Sequence, residues 1–579
     1  MAIDEFEIVN DTENTPQGHS PRVSLLSRRG FLTPLLLPVS LSTLLGIWRI
    51  RRDGTLWHDE AVTLELASRS LPDLWQTLGN IDAVHGAYYF LMHVLFGLFG
   101  TDLLALRLPS VLAGALAAAG VTALGMRLAG TRAGILAGLS FAVLPDVQKY
   151  SQEGRSYSIV CALVVWATYF LVSAAISRRA PEIIRRRRSM VPWIAYGTLM
   201  LAACILHQFA ALALVVHAFV VPDYARRPWA YTALLVAAGV APLAALGTAQ
   251  SGQVAWIDGV TGSEYQRFAI LASFAMVLSY FASSGNAGKV SPEAPFSLRA
   301  IALPLFVLPT ALLMLISLYK PFYVERYVLY GLVGLALLLG AVLDRMLRLG
   351  RTLRVTAVIA IALAITLLIP ESLKLRTPES RSDNVTALAI ILSREYAPGD
   401  GILYLSVKRR AWSLAYPSVN RGMFDLAQAL TPAASHDLYG TELPSPQIRA
   451  RMRSSARILV VTEPEGTHGE SSATEQIKER VLAEYFTKDR TIRIDGAQVI
   501  IYEQRTTATE LRGGPACRRP ACSAASHRHA VRSNASTPMP SAEYEQAPAH
   551  CELPVRTSIE NHNDLSPKNT VYRLISGEV

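Results

Sequence analysis

Long apolar runs alternate with short polar loops between residues 31 and 370. One helical crossing of a bilayer needs about 20 apolar residues, and on that measure the pattern predicts eleven crossings. The predicted spans lie near residues 31–49, 106–127, 132–148, 157–177, 191–206, 208–221, 229–248, 267–283, 300–319, 327–343 and 355–370. Such a pattern is typical of a polytopic α-helical protein that spans the cell membrane many times and has membrane lipids as its surroundings.

The apolar run at residues 86–100, "GAYYFLMHVLFGLFG", is too short to be a further crossing. A helix of that length rises about 22 Å, whereas the hydrocarbon core is about 30 Å thick. We therefore expect a helix that lies in the membrane interface. Leaving it out of the count also places the basic loop "RRAPEIIRRRR" at 178–188 on the cytoplasmic side, as the positive-inside rule requires.

An odd number of crossings puts the two ends of the membrane region on opposite sides of the bilayer. Residues 1–30 are then a cytoplasmic segment, 31–370 the membrane domain and 371–505 an extracytoplasmic domain. In this last part the strands "GILYLS" and "ARILVVTE" and a hairpin around Asp495-Gly496 alternate with helical patterns, which predicts an α/β fold. Residues 506–579 are rich in Ala, Pro, Ser, Arg and His without periodicity, so we expect a disordered tail.

Composition agrees with this picture. The chain is 51% hydrophobic and only 17% charged, which excludes an ordinary soluble multidomain protein. Its formal charge of +10 collects in loops between apolar runs, so we interpret it as a topology signal and expect no nucleic-acid partner. No P-loop, HExxH motif or dinucleotide fingerprint is present in the sequence. Its five cysteines have no ligand-like spacing with histidines, so no metal site is assigned.

Two adjacent carboxylates, Asp59 and Glu60, follow the first predicted span directly in "LWHDEA". They suit the N-terminus of a helix, where acidic side chains satisfy free amides and the helix dipole. They also suit catalysis, because a fixed carboxylate can take the proton from a hydroxyl as it attacks. Both interpretations can hold together.

Cations recur at the predicted external ends of separate spans, close to carboxylates and tyrosines. They are Arg107, Lys149, Arg155, Lys320 and Arg326. One interpretation is an interfacial belt in which tyrosines anchor and Arg155 pairs with Glu153. The other is a ring of positive charge at one depth, which would bind an anionic group such as a lipid-linked phosphate and stabilise it as a leaving group.

Four segments in order carry a family resemblance. They are "LWHDEA", the stretch 85–114 that begins "HGAYYF", "YSQEGRSYS" at 150–158 and "FYVERYVLY" at 322–330. Together they resemble the GT-C membrane glycosyltransferases, in particular family 39, which includes protein O-mannosyltransferases and the aminoarabinose transferase acting on lipid A. The resemblance implies inverting transfer of a sugar, with mannose as one candidate. It implies a polyprenyl-phosphate donor and an acceptor hydroxyl on a protein, glycan or lipid at the outer face of the membrane.

The same resemblance implies roles for individual residues. Asp59 is the expected base beside Glu60, and the other matching positions are expected to bind substrate. These are His85, Arg107, Glu153, Arg155, Arg326 and Tyr327. Lys320 is expected to bind substrate as well, as a member of the ring of positive charge. Relatives usually have two prolines after the histidine, whereas this chain has Gly86 and Ala87, so a looser loop is expected around His85. A divalent cation is left open, and the alternative function is a transporter or flippase of lipid-linked sugars.

Overall fold

The computed structural model describes residues 25–177, 190–250, 252, 257–283, 296–466 and 472–505. Most of the predicted cytoplasmic segment 1–30, the basic loop 178–188 and the predicted tail 506–579 lie outside these residues. Helices occupy most of the described chain up to residue 374, and a five-stranded sheet follows after residue 400.

The helical part contains fifteen α-helices within the described residues. They are α1 Leu25–Ile47, α2 His58–Ser68, α3 Leu71–Asn80, α4 Gly86–Phe99, α5 Leu103–Ala129, α6 Thr131–Val143, α7 Pro145–Ser151, α8 Tyr157–Ser177, α9 Met190–Leu206, α10 Leu212–Val220, α11 Asp223–Ala249, α12 Gly262–Ser283, α13 Leu298–Ser317, α14 Leu332–Arg348 and α15 Arg351–Lys374.

Eight helical stretches of the described chain are long and apolar enough to cross a membrane. They are Phe31–Gly54, Leu103–Ala129, Tyr157–Ser177, Asp223–Ala249, Gly262–Ala282, Leu298–Ser317, Glu325–Arg348 and Arg351–Lys374. The predicted spans 132–148, 191–206 and 208–221 fall on shorter apolar helices. A polytopic helical membrane protein is confirmed, while the number eleven stays a prediction.

Local backbone geometry explains why these helices are short. Helix α6 ends because Leu144 is extended (ψ 130°) before Pro145, a residue that disfavours the helical region for its predecessor. Helix α9 ends at His207, which is also extended (φ −160°, ψ 112°) and separates α9 from the next helical turn. These two extended residues thereby separate consecutive helices of the membrane region.

Helix α4 corresponds to the apolar run that we did not count as a span. It contains 14 residues and buries Tyr88, Tyr89, Met92 and Phe96 on one side. The opposite side exposes apolar side chains. These are Leu91, Val94, Leu98 and Phe99. An exposed apolar face on so short a helix fits the predicted place in the membrane interface.

Small residues allow the helices of the membrane region to pack closely. A Cβ atom on Gly340 of α14 would lie 2.5 Å from the backbone nitrogen of Ala137 in α6, so only glycine fits there. Close approach through small side chains is the usual way in which helices associate in lipid. The resulting core joins α5, α6, α8 and α14 and includes Val147 and Tyr150 of α7.

The remaining elements form the α/β unit. They are α16 Val385–Glu395, β1 Gly401–Tyr404, α17 Arg410–Leu414, α18 Pro417–Asn420, β2 Phe424–Asp425, β3 Gln428–Leu430, α19 Pro432–Ser435, β4 Thr441–Glu442, α20 Ser445–Arg453, β5 Arg457–Thr462, α21 Ala473–Tyr485, β6 Phe486–Ile494 and β7 Ala497–Gln504.

The main sheet of this unit has the strand order β2-β1-β5-β7-β6. Strand β1 runs parallel to β5 with Gly401 opposite Ile458, and β5 runs antiparallel to β7 with Arg457 opposite Glu503. Apolar side chains of α2 and α4 share one buried cluster with those of α16, β1, β5 and β7. The α/β unit therefore packs on the segment between α1 and α5, and residues up to Glu503 form one compact unit.

Candidate active site

Helix α2 places Asp59 and Glu60 side by side in its first turn. Successive helical residues point about 100° apart, so the two carboxylates face different surroundings. The helix begins after Trp57, whose backbone is extended (φ −107°, ψ 169°). Both interpretations of this pair are compatible with the geometry, because the acids lie at a helix N-terminus and one of them borders a cavity.

Glu60 is completely enclosed. The Nε and Nη2 atoms of Arg107 donate to its two oxygens at 2.7 and 2.6 Å, and Arg52 donates from Nη2 at 2.9 Å. The backbone N–H of Gly154 donates at 3.0 Å. Although burial alone would raise the pKa of Glu60, the two arginines lower it to about 2. Glu60 thus ties the start of α2 to α5 and to the loop after α7.

Arg107 is as fully buried as its partner and does not reach open space. Besides Glu60 it donates to the carbonyl oxygens of Ile50 and Thr55 at 2.6 and 2.5 Å. All of these partners belong to the protein, and the four bonds occupy most of its N–H donors. The geometry therefore does not support the predicted part of Arg107 in binding substrate.

Asp59, in contrast, borders open space, with 19% of its side chain exposed. Its Oδ2 lies 3.8 Å from Nε of Arg155 and 3.6 Å from Nη2 of Arg326. Burial opposes ionisation, but the charges of these two arginines lower the pKa of Asp59 below its usual value. At neutral pH the group is an ionised carboxylate between two cations.

A cavity of about 600 Å³ opens in front of Asp59. Its walls come from the start of α2, the turn before α4, the loop after α7, the segment before α14 and the α/β unit. The charged and histidine side chains that line it are His58, Asp59, Asp82, His85, Arg155, Arg326, Asp383, Lys408, Arg409 and Glu463. The volume is suitable for a small ligand or for one end of a larger one.

A second cavity, of about 490 Å³, shares Trp57, Arg326 and Ser382 with the first. Lys149, Glu153 and other side chains complete its wall. The guanidinium of Arg326 lies 5.6 Å from the ring centre of Trp57. These two side chains therefore border both spaces, close to Asp59.

Comparisons with known proteins concern the fold. Residues 87–245 match the family described as dolichyl-phosphate-mannose-protein mannosyltransferase. Over 80% of its length the chain aligns with 97% of ArnT from Cupriavidus metallidurans bound to undecaprenyl phosphate, at 14% identity and a TM-score of 0.51. The chain therefore has the same fold as ArnT, which is the GT-C type of fold that the sequence predicts.

A further solved structure gives a weaker similarity. The archaeal oligosaccharyltransferase AglB from Archaeoglobus fulgidus, in complex with an inhibitory peptide and a dolichol-phosphate, aligns at 11% identity and a TM-score of 0.43. That alignment covers 76% of this chain and 70% of AglB. No curated protein matches the sequence.

His85 is held firmly in this structure, although a looser loop was expected. Its Nδ1 lies 2.7 Å from Oδ1 of Asp82, whose second oxygen accepts from the hydroxyl of Tyr89 at 2.5 Å. Gly86 begins α4 so close to Leu78 that a Cβ would lie 2.9 Å from its Cδ1. The glycine therefore serves close packing, and His85 lines the cavity in front of Asp59.

The remaining predicted residues take different places around the two cavities. Tyr327 lines the first cavity and stacks on Phe209 with ring centres 5.4 Å apart. Glu153 lines the second cavity and pairs with Arg381 at 2.7 Å, where burial raises its pKa. Lys320 lines neither cavity, and its Nζ lies 5.4 Å from the ring centre of Phe322. The predicted ring of cations is thus reduced, at the first cavity, to Arg155 and Arg326.

Sequence reasoning missed the part of the site that comes from the α/β unit. Lys408 and Arg409 follow β1, and Glu463 follows β5 directly. Parallel strands bring their carboxyl ends to the same edge of a sheet, and ligands often bind there. That rule, applied to "GILYLS" and "ARILVVTE", is the signal that could have found these residues.

No group of three or more His, Cys, Asp or Glu side chains that could hold a metal ion occurs among the described residues. Two acids of the first cavity lie beside arginines. The Oδ2 of Asp59 is 3.8 Å from Nε of Arg155, and Glu463 accepts from Nε of Arg409 at 3.2 Å. The arrangement offers a carboxylate base and positive charge for an anionic ligand.

Proposed function

We propose that this protein is a GT-C glycosyltransferase that transfers a sugar from a polyprenyl-phosphate donor to an acceptor hydroxyl, with inversion at the anomeric carbon. One observation carries the proposal. Asp59 is a partly exposed carboxylate in a cavity, within 4 Å of two arginines from distant parts of the chain. A base and an anion-binding pair in one water-accessible space are the two things that such a transfer needs.

The reaction is a single displacement. The acceptor oxygen attacks the anomeric carbon while its proton passes to Asp59. The bond from that carbon to the phosphate oxygen breaks, and the electron pair leaves with the polyprenyl phosphate. Arg155 and Arg326 stabilise the phosphate as it departs. A phosphate leaves readily as an anion, so no general acid is required, and Asp59 later releases its proton to water.

The position of the arginines also couples donor binding to the strength of the base. In the empty site both cations lower the pKa of Asp59, which makes it a weak proton acceptor. A bound phosphate shares the same two charges and therefore raises that pKa towards its usual value. Asp59 thus becomes a better base when the donor is in place.

The donor class rests on chemistry and on the relatives together. The family description names dolichyl-phosphate-mannose, and ArnT was solved with undecaprenyl phosphate. Both are phosphates on long polyprenyl chains, which suits a site at the edge of a membrane. We assign the site to the outer face of the cell membrane because the predicted topology leaves the more basic loops inside. Mannose is the first sugar to test.

The test begins with a strain that lacks this chain. The unused donor should accumulate there, and mass spectrometry of lipid-linked sugars identifies it. Restoring the wild-type chain should clear the donor. The variant Asp59→Asn should lower turnover by about 10²–10⁴-fold while donor binding is kept, because only the proton acceptor is lost.

The matched control is Asp102→Asn. Asp102 lies outside the lining of both cavities and caps α5 by accepting from the amide of Ala105 at 2.7 Å. Asparagine can make the same bond, so full turnover is expected. A transporter of lipid-linked sugars needs no base, so normal clearance by Asp59→Asn would overturn the proposed transfer.

A further inference from the structure

Helix α2 carries the proposed base, but its own N-cap residue makes no capping hydrogen bond. Trp57 occupies the cap position and offers no side-chain acceptor to the first amides of the helix. An uncapped amide at a buried helix start is costly, and a Ser, Thr, Asp or Asn side chain usually satisfies it. The acceptor for the first amide of this helix comes from a residue that is far away in the sequence.

Asp383, just before the first helix of the α/β unit, supplies it. Its Oδ1 accepts from the backbone N–H of His58 at 2.6 Å, across 325 positions of sequence. His58 is the first residue of α2 and the direct neighbour of Asp59. The carboxylate of Asp383 therefore acts on the turn that aims the base.

The position of Asp383 is itself fixed by the α/β unit. Gly496, in the hairpin between β6 and β7, has a positive φ of 76°, and a Cβ there would lie 2.4 Å from Cβ of Asp383. The adjacent Asn384 donates its backbone N–H to the carbonyl of Asp495 at 3.1 Å. The hairpin thus holds Asp383 next to the start of α2.

Two further contacts hold the chain just before α2. The backbone N–H of Leu56 donates to Oγ1 of Thr386 at 2.9 Å, and its carbonyl accepts from the N–H of Val385 at 3.0 Å. Three hydrogen bonds therefore hold residues 56–58 against the segment 383–386. Backbone held in this way has little freedom to rotate.

Resting on the proposed function, we propose that the α/β unit positions the catalytic base, with Asp383 as the positioning residue that caps α2 from outside. The position of Asp59 matters because its own side-chain contacts do not fix it. Its distances of 3.6 and 3.8 Å to the arginines are longer than direct hydrogen bonds, so no tight contact fixes this carboxylate. Displacement by about 1 Å can cost about 10²-fold in rate.

The test compares three variants of the full chain in lipid nanodiscs, with polyprenyl-phosphate mannose as the donor probe. Asp383→Ala removes the acceptor, and we expect kcat to fall at least about ten-fold with KM for the donor unchanged. Asp383→Asn keeps an oxygen acceptor and should restore most of the rate.

Asn384→Ala is the matched control. Asn384 is the next residue and also caps a helix, since its side chain accepts from the amide of Ala387 at 3.0 Å, but that helix is α16. Loss of this cap should weaken the fold as much as Asp383→Ala does and leave kcat unchanged. An equal fall in kcat for both alanine variants would overturn the positioning role, as would a raised KM or a failure of asparagine to rescue.

Hydrogen exchange separates this inference from the proposed function. In Asp383→Ala the amides of residues 58–61 should exchange faster, whereas in Asn384→Ala the faster amides should be those of residues 385–388. This result does not depend on turnover. If the wild-type chain uses no polyprenyl-phosphate sugar, the proposed function fails while the cap is still tested. Unchanged exchange at 58–61 in Asp383→Ala would sink the cap itself.

Discussion

Asp59 and Glu60 are neighbours in one helical turn, yet they lie in opposite environments. Glu60 is fully buried and accepts hydrogen bonds of 2.6 to 3.0 Å from two arginines and a backbone amide. Asp59 is partly exposed, and its two arginines stay at 3.6 and 3.8 Å. The first arrangement satisfies a buried charge, and the second leaves a charge with room for another ligand.

The difference teaches how to separate structural from reactive carboxylates in one cluster. A carboxylate whose oxygens are filled by short, buried bonds cannot accept a further proton without breaking them. One that borders a cavity, with cations nearby but not in contact, can accept a proton and share its cations with a substrate. Three experiments test this contrast.

The largest effect is expected on stability from Glu60→Gln. The change leaves Arg107 and Arg52 buried without their counter-charge, and the loss of one partner from a buried ion pair costs about 3–5 kcal/mol. Thermal melting in detergent measures it. Asp59→Asn is the comparison and should change stability by less than about 1 kcal/mol, since its ion pairs are long and partly exposed. Equal destabilisation by both variants would contradict the contrast.

The stability of the protein should also fall in acid because of Glu60. Its folded pKa of about 2 is lower than the ordinary value of 4.5, so its contribution is complete above about pH 4.5 and is lost as pH falls towards 2. The loss amounts to roughly 3 kcal/mol. Other carboxyl groups titrate in the same range, so the measurement is the difference between wild type and Glu60→Gln at each pH. A difference that does not shrink in acid would count against the assignment.

A smaller effect is expected from the cations. Arg326→Gln removes one of the two charges assigned to the donor phosphate and should raise KM for the donor about ten-fold, equivalent to about 1.4 kcal/mol. Lys320→Gln serves as control, because Lys320 lines neither cavity and should leave KM unchanged. The initial sequence hypothesis of one cationic ring predicts equal effects. Titration of donor in the same assay decides between them.

Much of the fold could be predicted because its signals are local. The strands "GILYLS" and "ARILVVTE" and the hairpin at Asp495-Gly496 appear as β1, β5 and the β6–β7 pair. Strands β2, β3 and β4 were missed because each has only two or three residues, too few for any periodicity. The span count stayed open because Pro145 and His207 interrupt apolar runs that look long enough by composition.

Only those residues of the site that are charged and lie at the ends of helices could be predicted from the sequence. The sequence predicted that Asp59, Arg155 and Arg326 act together. The structure places both arginines within 4 Å of Asp59, and their joint action stays a prediction. It did not show that Arg107 turns to Glu60, since the direction of a side chain depends on packing between helices far apart in the sequence. Asp383 was missed for the same reason, because its partner is 325 positions away.

The hydrogen bonds between residues 383–386 and residues 56–58, which lie far apart in the sequence, have a consequence for biosynthesis. As the ribosome makes the chain, the first loop is translated early, but its cap follows only after α15. Until then the start of α2 lacks its partner. An arrested or truncated nascent chain would therefore carry the acid without the framework that aims it, and under the proposed function it would stay inactive until the segment 383–386 had been translated.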